Sequence, residues 1–394
     1  MLNVAIVTCG LLDSMLPLVR RLSQKVNIDL YIIVYGDQFS ENVSSFDLSG
    51  QPVGLLHEST TEKILDDRLM DYVKQKDARL TVRLFKYPNL KIANRQNFGL
   101  HRELAQIINR KAYDVVHFNG YRGSLLFLYA FLNRKTGKVW AIHDPILHSG
   151  EDKWQTRLGY STYQFLQAHF ILHNQSQKKE FTDRYRIKPD HCHFVRFGPL
   201  DIFQVFQNRT PAQTQPKTVL FYGRISPYKG VEYLIEAGKI ARQQLPDLKV
   251  IIAGKPNYNI DLDAIKKDST FEVIDRFISN EELVTFIERS VLIICPYTDA
   301  TQSGVVMTAY AFHKPVLATN VGGLPEVITE GQTGKLVPPC DAPALAQAIV
   351  SLLSSNDTLE SMQQNIGNIS QSGSLSWDDI SNQTINVYHQ SMTI

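Results

Sequence analysis

Short β-branched runs alternate with helical patterns twice along this chain, and that double alternation constrains the fold more than any other feature. The first series is NVAIVTCG (3–10), IDLYIIVYG (28–36), RLTVRLFKYP (79–88), DVVHFNG (114–120), KVWAIHD (138–144) and HFILHN (169–174). RLTVRLFKYP reads as an exposed or edge strand, and the last three runs read as buried ones. Strands that take turns with helices in this way predict a parallel sheet covered by helices on both faces. At DIFQVFQNRTPAQTQP (201–216) the regularity stops, and polar residues with two prolines predict a linker. A second series follows: TVLFYGR (218–224), LKVIIAG (248–254), FEVID (271–275), SVLIICPY (290–297) and PVLATN (315–320). The expected fold class is α/β, with two doubly wound Rossmann-like domains at 1–200 and 217–375. Ligands of such sheets lie at the C-terminal strand ends, and two facing domains would form a deep cleft. The closing SWDDISNQTINVYHQSMTI predicts a helix over 376–394 capped by Ser376.

Composition narrows the class. No run reaches the roughly 18 apolar residues that a spanning helix needs. The N-terminal stretch lacks the basic flank and small-residue cleavage site of a signal peptide. Four scattered cysteines, Cys9, Cys192, Cys295 and Cys340, show no paired metal-ligand spacing, so reduced thiols in a cytoplasmic setting are expected. The net charge of +2 conceals an asymmetry: residues 1–200 carry 27 Lys and Arg against 19 Asp and Glu, residues 201–394 carry 14 against 20. The basic half is compatible with peripheral contact with an anionic membrane surface at its inner face, or simply with solubility. Nucleic acid is not among the expected partners.

Two motifs carry the chemistry. In TQSGVV the amides of Ser303, Gly304 and Val305 would open a helix, unpaired within it and attractive to phosphate, with Gln302 and Ser303 adding side-chain hydrogen bonds. An ordinary capped core helix is the plain alternative. FYGRISPYKG (221–230) places Arg224 at a strand end and Lys229 just before a helix, a fork and a point charge suited to a diphosphate. The two motifs together favour an anion site. GGLPE (322–326) is a ligand-approaching loop or a turn, and GLLD (10–13) lacks the full dinucleotide fingerprint. HCH (191–193) would put two histidines on one strand face, with metal binding the minor reading. WAIHDP sets His143 and Asp144 at a strand's C-terminal end, where a histidine can hydrogen-bond a hydroxyl or shuttle a proton; His117 is a second candidate. A structural histidine is the alternative for each.

In combination and order, DVVHFNG, WAIHDP, FYGRISPYKG, LKVIIAG, ISNEELVTFIERSVLIICPY and SGVVMTAYAFHKPVLATNVGGLPEVITEGQTGKLVPP resemble a retaining GT-B glycosyltransferase of the family 4 (group 1) type. That resemblance implies an N-terminal domain for the acceptor and a C-terminal domain for a nucleotide-diphospho-sugar, with the last helix crossing back onto the N-terminal domain. It implies catalytic roles for His143, Arg224 and Lys229. Its donor set is Gly223, Arg224, Lys229, Gly254, Gln302, Ser303, Gly304, Val305 and Thr308, with Gly10, His117 and Asp144 on the acceptor side or in contact with the sugar. No cofactor and no metal are implied. The sequence departs from the family at one place: where the family carries two glutamates eight positions apart, this chain has Ala300 and Thr308, as in a subgroup reading TQSGV. Asp299, Thr301 or Gln302 are the candidates to replace the lost sugar contact. The expected activity is transfer of a sugar to the hydroxyl of a glycan or lipid-linked acceptor with retention, in cell-surface polysaccharide or glycolipid synthesis. A nucleotide-sugar epimerase and a catalytically silent partner that binds nucleotide-sugar or glycan are the alternatives.

Overall fold

Val4 to Val7 and Val219 to Phe221 are fully buried, as continuous apolar runs are when helices cover both faces of a parallel sheet. The computed structural model describes residues 1–41, 43–90, 95–120, 122–146, 159–300 and 303–392. The chain divides into two compact units, one running to Phe197 and resuming at Trp377, the other spanning Gly198–Ser376.

The strands of the first unit are β1 (Asn3–Thr8), β2 (Asn27–Tyr35), β3 (Gln38–Glu41), β4 (Ser44–Asp47), β5 (Gly54–Leu55), β6 (Leu80–Tyr87), β7 (Val115–Asn119), β8 (Gly137–Ile142), β9 (His169–Leu172) and β10 (Cys192–Phe194). Its main sheet has the order β10-β9-β8-β7-β1-β2-β6-β5, while β3 and β4 form a separate hairpin. Among the described strands of the main sheet, only the short β5 runs antiparallel to its neighbour. The order reverses between β1 and β7, which makes the C-terminal ends of these two strands the switch point where such sheets hold ligands.

The second unit contains β11 (Thr218–Tyr222), β12 (Lys249–Ala253), β13 (Phe271–Ile274), β14 (Leu292–Cys295), β15 (Val316–Thr319) and β16 (Gly334–Val337). Their order is β13-β12-β11-β14-β15-β16, all parallel, with the reversal between β11 and β14. Local signals set the helix starts. Ser279 and Glu282 form a reciprocal capping box on Asn280–Arg289, and the Asp341 carboxylate accepts from the Ala344 amide at 2.8 Å at the start of Ala342–Leu353.

Several expectations meet the structure differently. RLTVRLFKYP lies near the sheet edge, but Phe85 and Tyr87 within it are fully buried, because the helices Glu58–Ile64 and Arg95–Arg110 pack against it. The hairpin β3–β4 and the strand β16 gave no period to read, being four residues long each. Residues 201–216 are not a free linker: they lie within the second unit. A 3-10 turn, Asp201–Phe206, buries Ile202, Phe203 and Phe206, while Glu288 holds Gln207 at 3.0 Å and the Ala212 amide at 2.8 Å. The final helix, Trp377–Ser391, belongs to the first unit. Its Asp378 pairs with Arg21 at 3.0 Å and Lys25 at 2.9 Å. Among the described residues no helix is long and apolar enough to cross a membrane.

Candidate functional site

In the second unit the chain leaves β11 through Gly223 and Arg224 and turns through a 3-10 segment, Pro227–Lys229, into the helix Val231–Arg242. Gly230, the residue at that junction, has φ 62°, and a Cβ on it would fall 2.1 Å from the Pro296 carbonyl oxygen. The turn is therefore pressed against the end of β14, and the Thr298 amide donates to the Tyr228 carbonyl at 2.7 Å to hold it there. Gly230→Ala combines a left-handed backbone with a backbone clash, so it is expected to destabilise the second unit by more than about 1 kcal/mol. A urea unfolding curve checks this.

The consequence of the turn is the position of Lys229. Its ammonium lies 3.4 Å from the Tyr297 hydroxyl and 5.0 Å from that ring's centroid. A Cβ on Gly223 would stand 3.3 Å from Lys229 Nζ and 4.0 Å from Val305 Cγ2, so Gly223, Lys229 and Val305 surround one small volume at the β11/β14 switch point. Burial pulls the Lys229 pKa down to about 8, and the nearby Arg224 adds to the fall while Cys295 opposes it. Such an ammonium gains from an incoming anion.

The helix Gly304–Ala311 starts at the same place. Ser303 caps it, accepting from the Val306 amide at 3.4 Å, and the Tyr222 hydroxyl donates to the Val305 carbonyl at 2.9 Å. By helix geometry the amides of Gly304 and Val305 have no acceptor within the helix, and they carry the positive end of its dipole. Arg224 is exposed at the end of β11. Gly254 plays a different part: a Cβ there would meet the Gly223 carbonyl at 2.0 Å, so its bareness lets β12 pack on the Gly223 backbone. Thr308 is buried one turn into the helix, and its hydroxyl donates to the Gly304 carbonyl at 2.8 Å. Gln302, with Thr301, lies outside the described residues. Gly322, at φ 51°, packs with its α-carbon against the Ala300 carbonyl, so the glycine pair serves a close turn.

In the first unit the switch point gathers histidines. His117 ends β7 two residues early, and its Nδ1 is 2.7 Å from the Tyr388 hydroxyl of the last helix. His143 follows β8, with Nε2 at 2.8 Å from Asn119 Oδ1, and its ring lies tilted with its centroid 5.0 Å from that of His173, which donates from Nδ1 to the Val195 carbonyl at 2.8 Å. Burial pushes all three down, His117 and His173 to about 3 and His143 to about 4, and their mutual repulsion adds to the effect. Gly10, at φ 152°, accepts from the Thr8 hydroxyl and is joined to His143 through Asn119. Asp144 is exposed, and its carbonyl accepts from the Tyr160 hydroxyl at 3.1 Å. The cavity against His117, Asn119, His143 and His173 measures about 20 Å³, room for a water but not for a sugar. His191 and His193 stack on His169 near the sheet edge, with His169 Nδ1 and His193 Nε2 2.7 Å apart and bonded to each other.

Sequence reasoning missed Tyr222, Cys295, Tyr297, Thr8, Asn119 and His173. Tyr297 and Asn119 do carry a signal: each closes a buried strand run that also contains a chosen residue or precedes one.

Two family models match this chain: "Glycosyl transferases group 1" over residues 203–368 and "Glycosyltransferase Family 4" over residues 66–198. Similar curated proteins include the alpha-D-kanosaminyltransferase of Streptomyces kanamyceticus, 31% identical over 37% of this chain and 39% of that protein. Another is the D-inositol 3-phosphate glycosyltransferase of Corynebacterium efficiens, 31% identical over 45% of this chain and 43% of that protein. The matches thus span less than half the length of these two relatives. Among solved structures, HepE of Anabaena in complex with UDP aligns with a TM-score of 0.64 at 15% identity, covering 99% of this chain and 100% of that one, which shows a shared GT-B fold. With one glycosyltransferase model matched over residues 66–198 and another over 203–368, together more than half of its length, the chain belongs to the family 4 (group 1) glycosyltransferases.

Proposed function

We propose that this protein transfers a sugar from a nucleotide-diphospho-sugar to an acceptor hydroxyl with retention of configuration. The observation that carries this reading is the convergence of the Lys229 ammonium, the bare Gly223 and the open amides at Gly304 and Val305 on one switch point. The ammonium and the amides are donors at a positive end, the bare glycine leaves room beside them, and together they suit a diphosphate. Arg224 at the same strand end adds a second cation for the outer phosphate oxygens.

In the reaction the bond from the sugar's anomeric carbon to the diphosphate oxygen breaks, and a bond to the acceptor oxygen forms on the same face. The acceptor's proton passes to the departing phosphate oxygen. Negative charge grows on the diphosphate, where Lys229, Arg224 and the helix start stabilise it. These groups supply the positive potential that a divalent ion would otherwise bring, so transfer is expected to proceed in EDTA. The first unit takes the acceptor, and His143 contacts a sugar hydroxyl. UDP-sugars are the first donors to try, since HepE binds UDP on the same fold. Glycan and lipid-linked acceptors of cell-surface synthesis come first among acceptors, with peripheral membrane contact through the basic half.

One feature favours a second reading, a silent partner that binds nucleotide-sugar. Ala300 and Thr308 stand where the family has carboxylates, and the Thr308 hydroxyl is turned into its own helix. A panel of nucleotide-sugars separates the two. The transferase reading expects one donor to raise the melting temperature and to release nucleoside diphosphate slowly in EDTA, with both effects lost in Arg224→Ala. Stabilisation without turnover on any acceptor supports the silent partner, and no response to any donor removes the donor site.

A further inference from the structure

The register of the first unit's sheet places Thr8 of β1 directly beside Asn119 of β7, and Asn119 beside Ala141 of β8, two residues before His143. A directional chain of hydrogen bonds runs across these strand ends. It starts at the Gly10 carbonyl, which has no proton to give. The Thr8 hydroxyl lies close against that carbonyl and must donate to it, which uses its only proton. Thr8 Oγ1 is then an acceptor, and Asn119 Nδ2 donates to it at 3.3 Å. Asn119 consequently turns its carbonyl oxygen to His143 Nε2 at 2.8 Å. An amide oxygen only accepts, so the ring proton sits on Nε2. The flipped amide would set the Asn119 oxygen against a Thr8 oxygen whose proton is already committed.

We propose that Asn119 is a positioning residue that fixes His143 as the Nε2–H tautomer, whose Nδ1 accepts a hydrogen bond and does not donate one. Its consequence for sugar transfer rests on the function proposed above; the tautomer itself does not. The start of the chain is anchored in backbone, since Gly10 and the left-handed Leu11 (φ 59°) lead straight into the helix Leu12–Leu22. Among the described residues, His117, His173 and Arg196 line the same cavity, and burial with repulsion from His117 keeps His143 neutral, while the helices Leu12–Leu22 and Trp377–Ser391 present Met15, Leu18, Ile380 and Thr384 there, none of them titratable. Tyr388 reaches this layer only through His117, and Asp144, next in the chain, is exposed. Burial holds the His143 pKa down to about 4, so one ring proton is present at neutral pH. His173, bonded to a carbonyl through Nδ1, holds the opposite tautomer.

The test is nitrogen-15 NMR of histidine-labelled full-length protein, with His143→Gln used to assign the resonances. The expected result is a neutral Nε2–H ring on His143 at pH 7 that does not titrate above pH 5. In Asn119→Asp the carboxylate keeps the contact but favours the imidazolium, and the His143 pKa should rise by at least about 1 unit. Thr8→Val, which leaves His143 untouched, frees the Asn119 amide and should yield a mixture of tautomers. In the transfer assay Asn119→Ala is expected to lower kcat roughly tenfold while the donor KM changes little, the scale of an outer-layer orienting bond. An Nδ1–H ring in the wild type, ordinary titration near the unperturbed value, a His143 pKa unmoved in Asn119→Asp, or a tautomer indifferent to Thr8→Val would overturn the proposal. The expected tautomer in a protein that turns over no donor would keep this inference and reject the transferase reading. Turnover with the opposite tautomer would do the reverse.

Discussion

Lys229→Ala is expected to lower kcat/KM for the donor by about 10²- to 10³-fold, the cost of removing one preorganised stabiliser of developing negative charge. The stability of the free protein should move the other way or not at all. The Lys229 ammonium is held at a buried switch point where desolvation already pulls its pKa to about 8, so the unliganded fold gives up little by losing it. What should disappear is the rise in melting temperature on adding nucleoside diphosphate. Lys229→Arg should not rescue, because the ammonium occupies a space 3.3 Å from the Cβ position of Gly223 and 3.4 Å from the Tyr297 hydroxyl, too tight for a planar fork. A fall in activity matched by an equal fall in melting temperature would make Lys229 a structural residue.

The lowered pKa adds a pH signature. A bound diphosphate favours the ammonium, so above about pH 8 binding must take up a proton. Donor affinity should then weaken by up to tenfold per pH unit, while kcat at saturating donor stays level across the same range. Measuring donor KM from pH 7 to 9.5 checks this, and Arg224→Ala, by removing a neighbouring cation, should shift the break upward.

Lys229 was legible in the sequence because its cues are local. A strand-ending Gly-Arg, a Pro-led turn and a Lys-Gly step before a helix all lie within ten residues, and the structure sets them at the C-terminal end of β11. The alternation of strand and helix gave the two sheets for the same reason: each run carries its own burial pattern. Asn119 and Tyr297 could be singled out as the ends of strand runs, but their roles were not legible, since these come from neighbours far away in sequence. Asn119 meets Thr8 across 111 residues through a β1–β7 register that no local period encodes. Tyr297 meets Lys229 across 68 residues, by way of a turn held in place by Gly230 against Pro296. Residues 201–216 misled for a related reason. Their polar composition reads as a linker, yet three apolar side chains and Glu288, from a helix more than 70 residues on, fasten them to the second unit.

The first unit is expected to unfold in mild acid well before the second. Five of its histidines are pushed down by burial: His117 and His173 to about 3, and His143, His169 and His193 to about 4. A histidine with a folded pKa below its unfolded value near 6.5 stays neutral in the fold but takes a proton on unfolding. Between about pH 6.5 and 4 the unfolded state thus binds more protons, and stability falls as pH falls through that window. Each such group can cost up to about 1.4 kcal/mol per pH unit, trimmed where water reaches the ring. The depressed carboxylates act lower: Arg276 and the Ser279 amide hold Glu282 at about 2, so its contribution is lost only below the usual glutamate range. Against a typical domain stability of roughly 5–15 kcal/mol, several histidines acting together place the first unit's midpoint near pH 5. Tryptophan emission isolates this event, because the second unit, Gly198–Ser376, contains no tryptophan while Trp140 lies in the first unit's core. Urea midpoints read by that emission should drop steeply from pH 6.5 to 5.5 with little change from 7.5 to 6.5. His173→Phe should reduce the slope by about one proton, since it removes one group that must charge and leaves an aromatic ring against His143 and Phe197. A midpoint that stays flat down to pH 5 would mean these rings accept protons in the folded state, and the buried histidine layer would then be open to water.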